Sequence, residues 1–132
     1  MTVRIERPLD EISAFLADPP NFSRWASGLG RLTGRAGGRR WVAEGEDGAK
    51  TEIEFSEPNA FGVADHTVFP PSKEEVYVPM RAHRNGTGSE VAITLIREPG
   101  MTDERFEADS DWVARDLERL RAVLEGAAER AR

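Results

Sequence analysis

The sequence predicts an α+β domain: a curved antiparallel sheet of about seven strands held against one long C-terminal helix, with two short helices after the first strand. Three observations carry this. First, Phe106, Ser110, Val113, Leu117, Leu120, Leu124 and Ala127 recur every three or four positions, the spacing of one apolar stripe on a helix. Second, the middle of the chain alternates apolar and polar residues in short runs separated by glycine, proline and asparagine. Third, the helical stripe needs a partner, and the sheet is the one element large enough to cover it. A long helix gripped by a sheet makes a container, so the architecture points to the binding of a small molecule.

The elements follow in order. Thr2–Glu6 alternates Val3 and Ile5 with polar neighbours and reads as a strand. Pro8 suits the first turn of a helix whose buried face is Leu9, Ile12, Phe15 and Leu16. Asp18-Pro19-Pro20 ends it, because residues before proline avoid the α region. Asn21 is positioned to cap a second helix carrying Phe22 and Trp25, stopped by Gly28 and Gly30. Strands are then expected at Leu29–Thr33, Arg39–Glu44, Lys50–Phe55, Gly62–Val68, Glu75–Arg84 and Ser89–Arg97. The turns between them, Arg35–Gly38, Glu46–Gly48, Glu57–Asn59, Phe69–Ser72 and Asn85–Gly88, are too short for parallel crossovers. Thr102 can cap the last helix, with Asp103 and Glu104 at its positive end and Met101 and Phe106 at the spacing of a hydrophobic staple. That helix is expected to reach about Gly126, with Glu129–Arg132 fraying.

Composition narrows the function classes. The 132 residues fit one domain, and a net charge of −6 argues against a nucleic-acid partner, which would need a basic surface. With no cysteine there are no disulfides and no thiolate chemistry, which suits a reducing compartment. The first residues lack the apolar core of a signal peptide and no run is long enough to span a membrane, so the expected location is cytoplasmic. His66 and His83 stand at unrelated spacing, so no metal site is expected. Gly28-Leu29-Gly30 and the Gly34–Arg40 stretch match neither a phosphate loop nor a dinucleotide fingerprint, and no cofactor is expected. No serine sits in a G-x-S-x-G elbow.

The order of one strand, two short helices, a run of strands and one long helix resembles the START and birch-pollen-allergen-like superfamily (SRPBCC), over nearly all of residues 1–132. Ala17-Asp18-Pro19-Pro20-Asn21-Phe22-Ser23-Arg24-Trp25 is similar to the helix–loop–helix signature of its polyketide cyclase/dehydratase-like branch. Phe61–His66, Val76–Arg81 and Pro99–Phe106 are similar to segments of its uncharacterised bacterial members. The resemblance implies a single helix-grip domain that holds a small hydrophobic or aromatic ligand in an internal cavity. It also implies either a cofactor-free cyclase or dehydratase, or a carrier or sensor without catalysis.

On the residues themselves, the inward faces of the expected strands, together with the helix stripe, would line the cavity with Trp25, Trp41, Ile53, Phe55, Ala64, His66, Val78, Met80, Ile93, Leu95, Val113 and Leu117. His66 is the candidate proton carrier, or else a hydrogen-bond partner for the ligand. Asp65 cannot orient it, since neighbours on a strand face opposite ways. Arg81 falls on the outer parity, but a bulge at Pro79 would bring it inward as an oxyanion partner. Arg35, Arg39 and Arg40 form a basic hairpin tip that could draw an anion to the cavity mouth. Trp112 is expected on a sheet edge or a loop rather than on substrate. A third reading is a protein-interaction module with a collapsed cavity. Val63, Thr67, Tyr77, Ala92, Thr94 and Ile96 would then form an apolar outer strip suited to a homodimer face or a partner.

Overall fold

A computed structural model describes residues 1–71 and 74–130, with side chains as far as Gly126. Ser72 and the side chains of Ala127 and of the expected fraying end, Glu129–Arg132, lie outside it. In chain order the elements are β1 (Thr2–Ile5), α1 (Leu9–Ala17), a 3-10 turn (Pro19–Asn21), α2 (Phe22–Trp25), β2 (Arg31–Gly37), β3 (Arg40–Glu44), β4 (Lys50–Phe55), β5 (His66–Phe69), β6 (Val76–Val78), β7 (Met80–Asn85), β8 (Gly88–Ile93) and α3 (Asp103–Arg130). The strands pair in two antiparallel groups, β1-β8-β7 and β2-β3-β4-β5-β6. An isolated bridge from Val63 to Arg81 links them.

The expected strand at Glu75–Arg84 is divided in two, so the described strands number eight rather than about seven. Pro79 has no N–H to offer a ladder and sits at the division. Opposite it, the expected strand at Gly62–Val68 shortens to β5. There the Asp65 carboxylate takes the Met80 N–H at 2.7 Å, while the Ala64 carbonyl accepts from the His66 ring at 3.2 Å. The register nevertheless holds across the break: His66 pairs with Val78 and Val63 with Arg81, with no residue inserted between. Alternation is therefore preserved. Met80 and Ala82 are buried, while Tyr77 is 48% exposed on the other face. Gly62 permits the close approach on this line, since a side chain there would sit 2.1 Å from the Ala82 carbonyl oxygen.

Three further boundaries differ. β2 runs through the expected Arg35–Gly38 turn, because register shifts after Leu32 and Arg35 absorb the extra residues as bulges. Asn21 has helical backbone and makes no side-chain cap; its amide donates instead to the Phe15 carbonyl at 3.0 Å, tying off α1. β8 ends at Ile93, where its partner reaches Pro79. At the head of α3, the Thr102 hydroxyl accepts the Arg105 N–H at 3.1 Å, as its N-cap reading requires. The core lies between α3 and the concave sheet. Leu120, Ile53, Ile5, Ile12 and Val91 are fully buried in it, and Leu117 and Leu124 extend the helical stripe.

Candidate functional site

Where β6 parts from the continuation of β8, the sheet opens into a cleft of about 520 Å³. One wall is β6, the other is Thr94–Glu98, and the head of α3 forms its floor with Arg105, Asp109 and Val113. Apolar side chains from Val78, Ile93, Leu95, Ile96 and Met101 face it. Arg105 holds Asp109 at 3.2 Å in an i,i+4 pair at its edge. The volume lies within the roughly 300–1,000 Å³ of small-molecule sites.

The residues named from the sequence fall into distinct places. Val78, Ile93, Leu95 and Val113 line this cleft. Trp25, Phe55, Ala64, His66 and Met80 surround a separate void of about 10 Å³, together with Leu16 and Phe22. Such a space holds at most one water. Ile53 and Leu117 are buried in the core, and Trp41 is packed against it from the neighbouring ladder position.

His66 is 7% exposed. Its ring meets Phe22 edge to face at 5.3 Å and lies 6.1 Å from Phe55. Nδ1 donates to the Ala64 carbonyl at 3.2 Å, which leaves Nε2 as the free acceptor. Burial pushes its pKa below the ordinary histidine value, so the imidazole is neutral at pH 7.

Arg81 lies on the opposite face of the sheet. Its guanidinium pairs with Asp65 at 2.7 Å, and the same carboxylate accepts a hydrogen bond from the Tyr77 hydroxyl. Burial alone would raise the Asp65 pKa. The Tyr77 hydroxyl, the Met80 amide and Arg81 outweigh it and hold the carboxyl below its usual range. Asp65 and His66 point to opposite faces, as strand parity requires.

The arginines of the β2–β3 hairpin have partners within the fold. Arg39 donates to the Ala17 carbonyl at 2.7 Å and to Ser56 at 3.1 Å, a cation at the negative end of α1. Arg40 stacks 4.0 Å over the Phe69 ring, and Arg35 donates to the Gly38 carbonyl at 2.8 Å.

Sequence reasoning passed over Asp116. It is 9% exposed on α3 and accepts from the Ser27 backbone N–H at 3.2 Å and the Ser27 hydroxyl at 2.6 Å. Burial pushes its pKa up. The available signal was its place three residues after Val113 and four before Leu120, inside the apolar stripe. Trp112 packs on the same loop, donating to the Ser27 carbonyl at 3.1 Å. Among the described residues there is no cluster of metal-ligating side chains, and no helix is long and apolar enough to cross a membrane.

Neither a protein-family model nor a curated protein matches the sequence. Solved structures do resemble the fold. DynU16, a protein of the dynemicin biosynthetic locus, is similar at 20% identity with a TM-score of 0.69, over 95% of this chain and 46% of that one. This chain thus spans about half the length of DynU16. An uncharacterised protein from Bacillus thuringiensis is similar at 11% identity with a TM-score of 0.70, over 93% of this chain and 95% of that one. Ara h 8.0201 is similar at 10% identity with a TM-score of 0.63, over 96% and 95% of the two chains. At these identities the likeness is one of fold: the chain has a helix-grip fold, a sheet held against one long C-terminal helix, shared with these structures.

Proposed function

We propose that this protein binds a small hydrophobic or aromatic molecule in the cleft between β6, Thr94–Glu98 and the head of α3, and that it acts as a carrier or sensor. The cleft itself carries the reading: about 520 Å³, walled by aliphatic side chains and edged by a few polar groups. Binding is favoured over cyclase or dehydratase chemistry because the two candidate catalytic groups cannot meet on one ligand. His66 faces a void of about 10 Å³ inside the sheet, and Arg81 is paired with Asp65 on the outer face. Proton transfer needs both groups within hydrogen-bond reach of the same molecule. The reading calls for no cofactor. DynU16 comes from a biosynthetic locus, which is in keeping with a metabolite as ligand.

A thermal-shift screen against fatty acids, flavonoids and aromatic polyketides tests this on the wild type, Val113→Trp and His66→Ala. A ligand at 100 times its Kd stabilises the fold by about 2.7 kcal/mol, a shift easily read. The expected result is a hit that Val113→Trp abolishes, because the indole fills the cleft, and that His66→Ala keeps. A flat panel with all three proteins folded would refute binding. A hit lost only in His66→Ala would move the ligand to the interior and revive catalysis.

A further inference from the structure

The walls of the cleft are the edge of β6 and the extension beyond β8, Thr94–Glu98, which belongs to no strand. β7 and β8 pair Met80 with Ile93, and the Thr94 N–H still reaches the Pro79 carbonyl at 3.0 Å. Among the described residues the ladder stops there, and no backbone hydrogen bond joins β6 to Leu95–Glu98. Continuing the same register would set Val78 opposite Leu95 and Tyr77 opposite Ile96. The pairing pattern also assigns the free groups. Val78 and Val76 are spent on β5, opposite His66 and Val68, so the N–H and C=O of Tyr77 point away from β5 and towards the cleft. Tyr77 and Ile96 both line the cleft and are 48% and 46% exposed, two large side chains left uncovered.

We propose that this split is a gate: Tyr77 and Ile96 pair to close the ladder across the cleft, and the Pro79 break lets it open for a ligand to enter. This rests on the binding reading above for its purpose, though not for its geometry. Pro79 supplies the weakness. The pair it would form with Thr94 keeps one hydrogen bond and lacks the other, since proline has no N–H, and Met80 turns its own N–H to Asp65. The far wall is anchored to the helix rather than to the sheet. Arg97 donates to the Met101 carbonyl at 3.2 Å and to Asp103 at 2.5 Å, and lies 5.5 Å over the Phe106 ring. Movement of Leu95–Arg97 towards β6 therefore draws the first turn of α3 with it, narrowing the cleft from two sides.

The chain has no cysteine, so a disulfide can report closure without interference. In the closed register Val78 and Leu95 form a non-hydrogen-bonded pair, with Cα atoms about 4.5 Å apart, within the range a disulfide accepts. The double variant Val78→Cys/Leu95→Cys is equilibrated in a glutathione redox buffer, beside Val78→Cys/Ile96→Cys, whose side chains lie on opposite faces. Binding of the neutral fluorophore N-phenyl-1-naphthylamine is measured before and after oxidation. The gate predicts that the first pair cross-links with native circular dichroism, that the control pair does not, and that the fluorophore enters the reduced form only. Failure of the first pair to cross-link, or equal cross-linking of both, overturns the gate. Cross-linking with no fluorophore bound in either state leaves the gate standing and counts against the binding reading. Hydrogen exchange on the wild type provides a second reading with no substitution. Fluorophore binding should slow the Tyr77 and Ile96 amides by at least about tenfold, and unchanged exchange under saturating fluorophore overturns the proposal.

Discussion

At the scale of single residues, His66 is the group whose chemistry its surroundings define most sharply. It is boxed by Phe22 and Phe55, and burial lowers its pKa. The folded protein therefore binds fewer protons at this site than the unfolded chain once pH falls below the unfolded value of about 6.5. Its contribution to stability is complete above that value and is lost as pH drops through the window below it. A melting temperature that declines from pH 7.5 to pH 5.5 is expected, and His66→Gln should flatten the decline. Glutamine does not titrate and can still donate to the Ala64 carbonyl. Equal slopes for the two proteins would mean that the imidazole is hydrated and titrates normally. Asp65, one residue earlier, works on the other face with Tyr77 and Arg81. That separation was legible from parity alone. The three-way cluster was not, because it forms where Pro79 breaks the ladder and the Asp65 carboxylate takes the Met80 N–H, joining side chains twelve or more residues apart in sequence.

At the scale of elements, α3 is joined to the segment after α2 by polar contacts as well as by its apolar stripe. Asp116 accepts twice from Ser27, Trp112 donates to the Ser27 carbonyl, and Gly28 presses on the indole so closely that an added Cβ would lie 2.0 Å from it. Two substitutions divide the role of the carboxylate. Asp116→Ala leaves the Ser27 N–H and hydroxyl without their acceptor and should cost about 1–3 kcal/mol in urea unfolding. Asp116→Asn keeps an acceptor oxygen and removes a charge that burial disfavours, so at pH 7 it should match or exceed the wild type. The sign follows from the raised pKa: the site's favourable contribution is complete below the unfolded value and is lost as pH rises through the folded one. An asparagine variant as unstable as the alanine one would show that the charge itself holds the loop. The helices and β4 were legible because their signals are local: the 3.6-residue stripe, the proline pair after α1, and strict alternation over Lys50–Phe55. The early end of β8 was not, because nothing in Thr94–Arg97 disfavours a strand. Its pairing stops when Pro79 interrupts the neighbour. For the same reason the cleft was hidden: the sequence placed Val78 and Leu95 on one inward face but not the gap between their strands.

At the scale of the whole molecule, both strand groups and all three helices share one core, and α3 closes it. Val3 and Ile5 of β1, Phe22 and Trp25 of α2, Ile53 of β4 and Met80 of β7 belong to the same buried cluster as Leu117, Leu120 and Leu124. A split sheet could have meant two units folding separately; a shared core means that neither half is covered without the other and without the helix. Unfolding should therefore be a single transition. The tryptophans are placed to report it, since Trp25, Trp41 and Trp112 lie on α2, β3 and α3. Tryptophan fluorescence and far-ultraviolet circular dichroism should give coincident urea curves in the wild type. Leu120 is fully buried at the middle of the stripe, so Leu120→Ala should move both curves together by about 2–5 kcal/mol. If the variant instead separated them, α3 would be undocking as an independent unit. The floor of the cleft would then detach without the sheet unfolding, and ligand entry would need no opening between β6 and Thr94–Glu98.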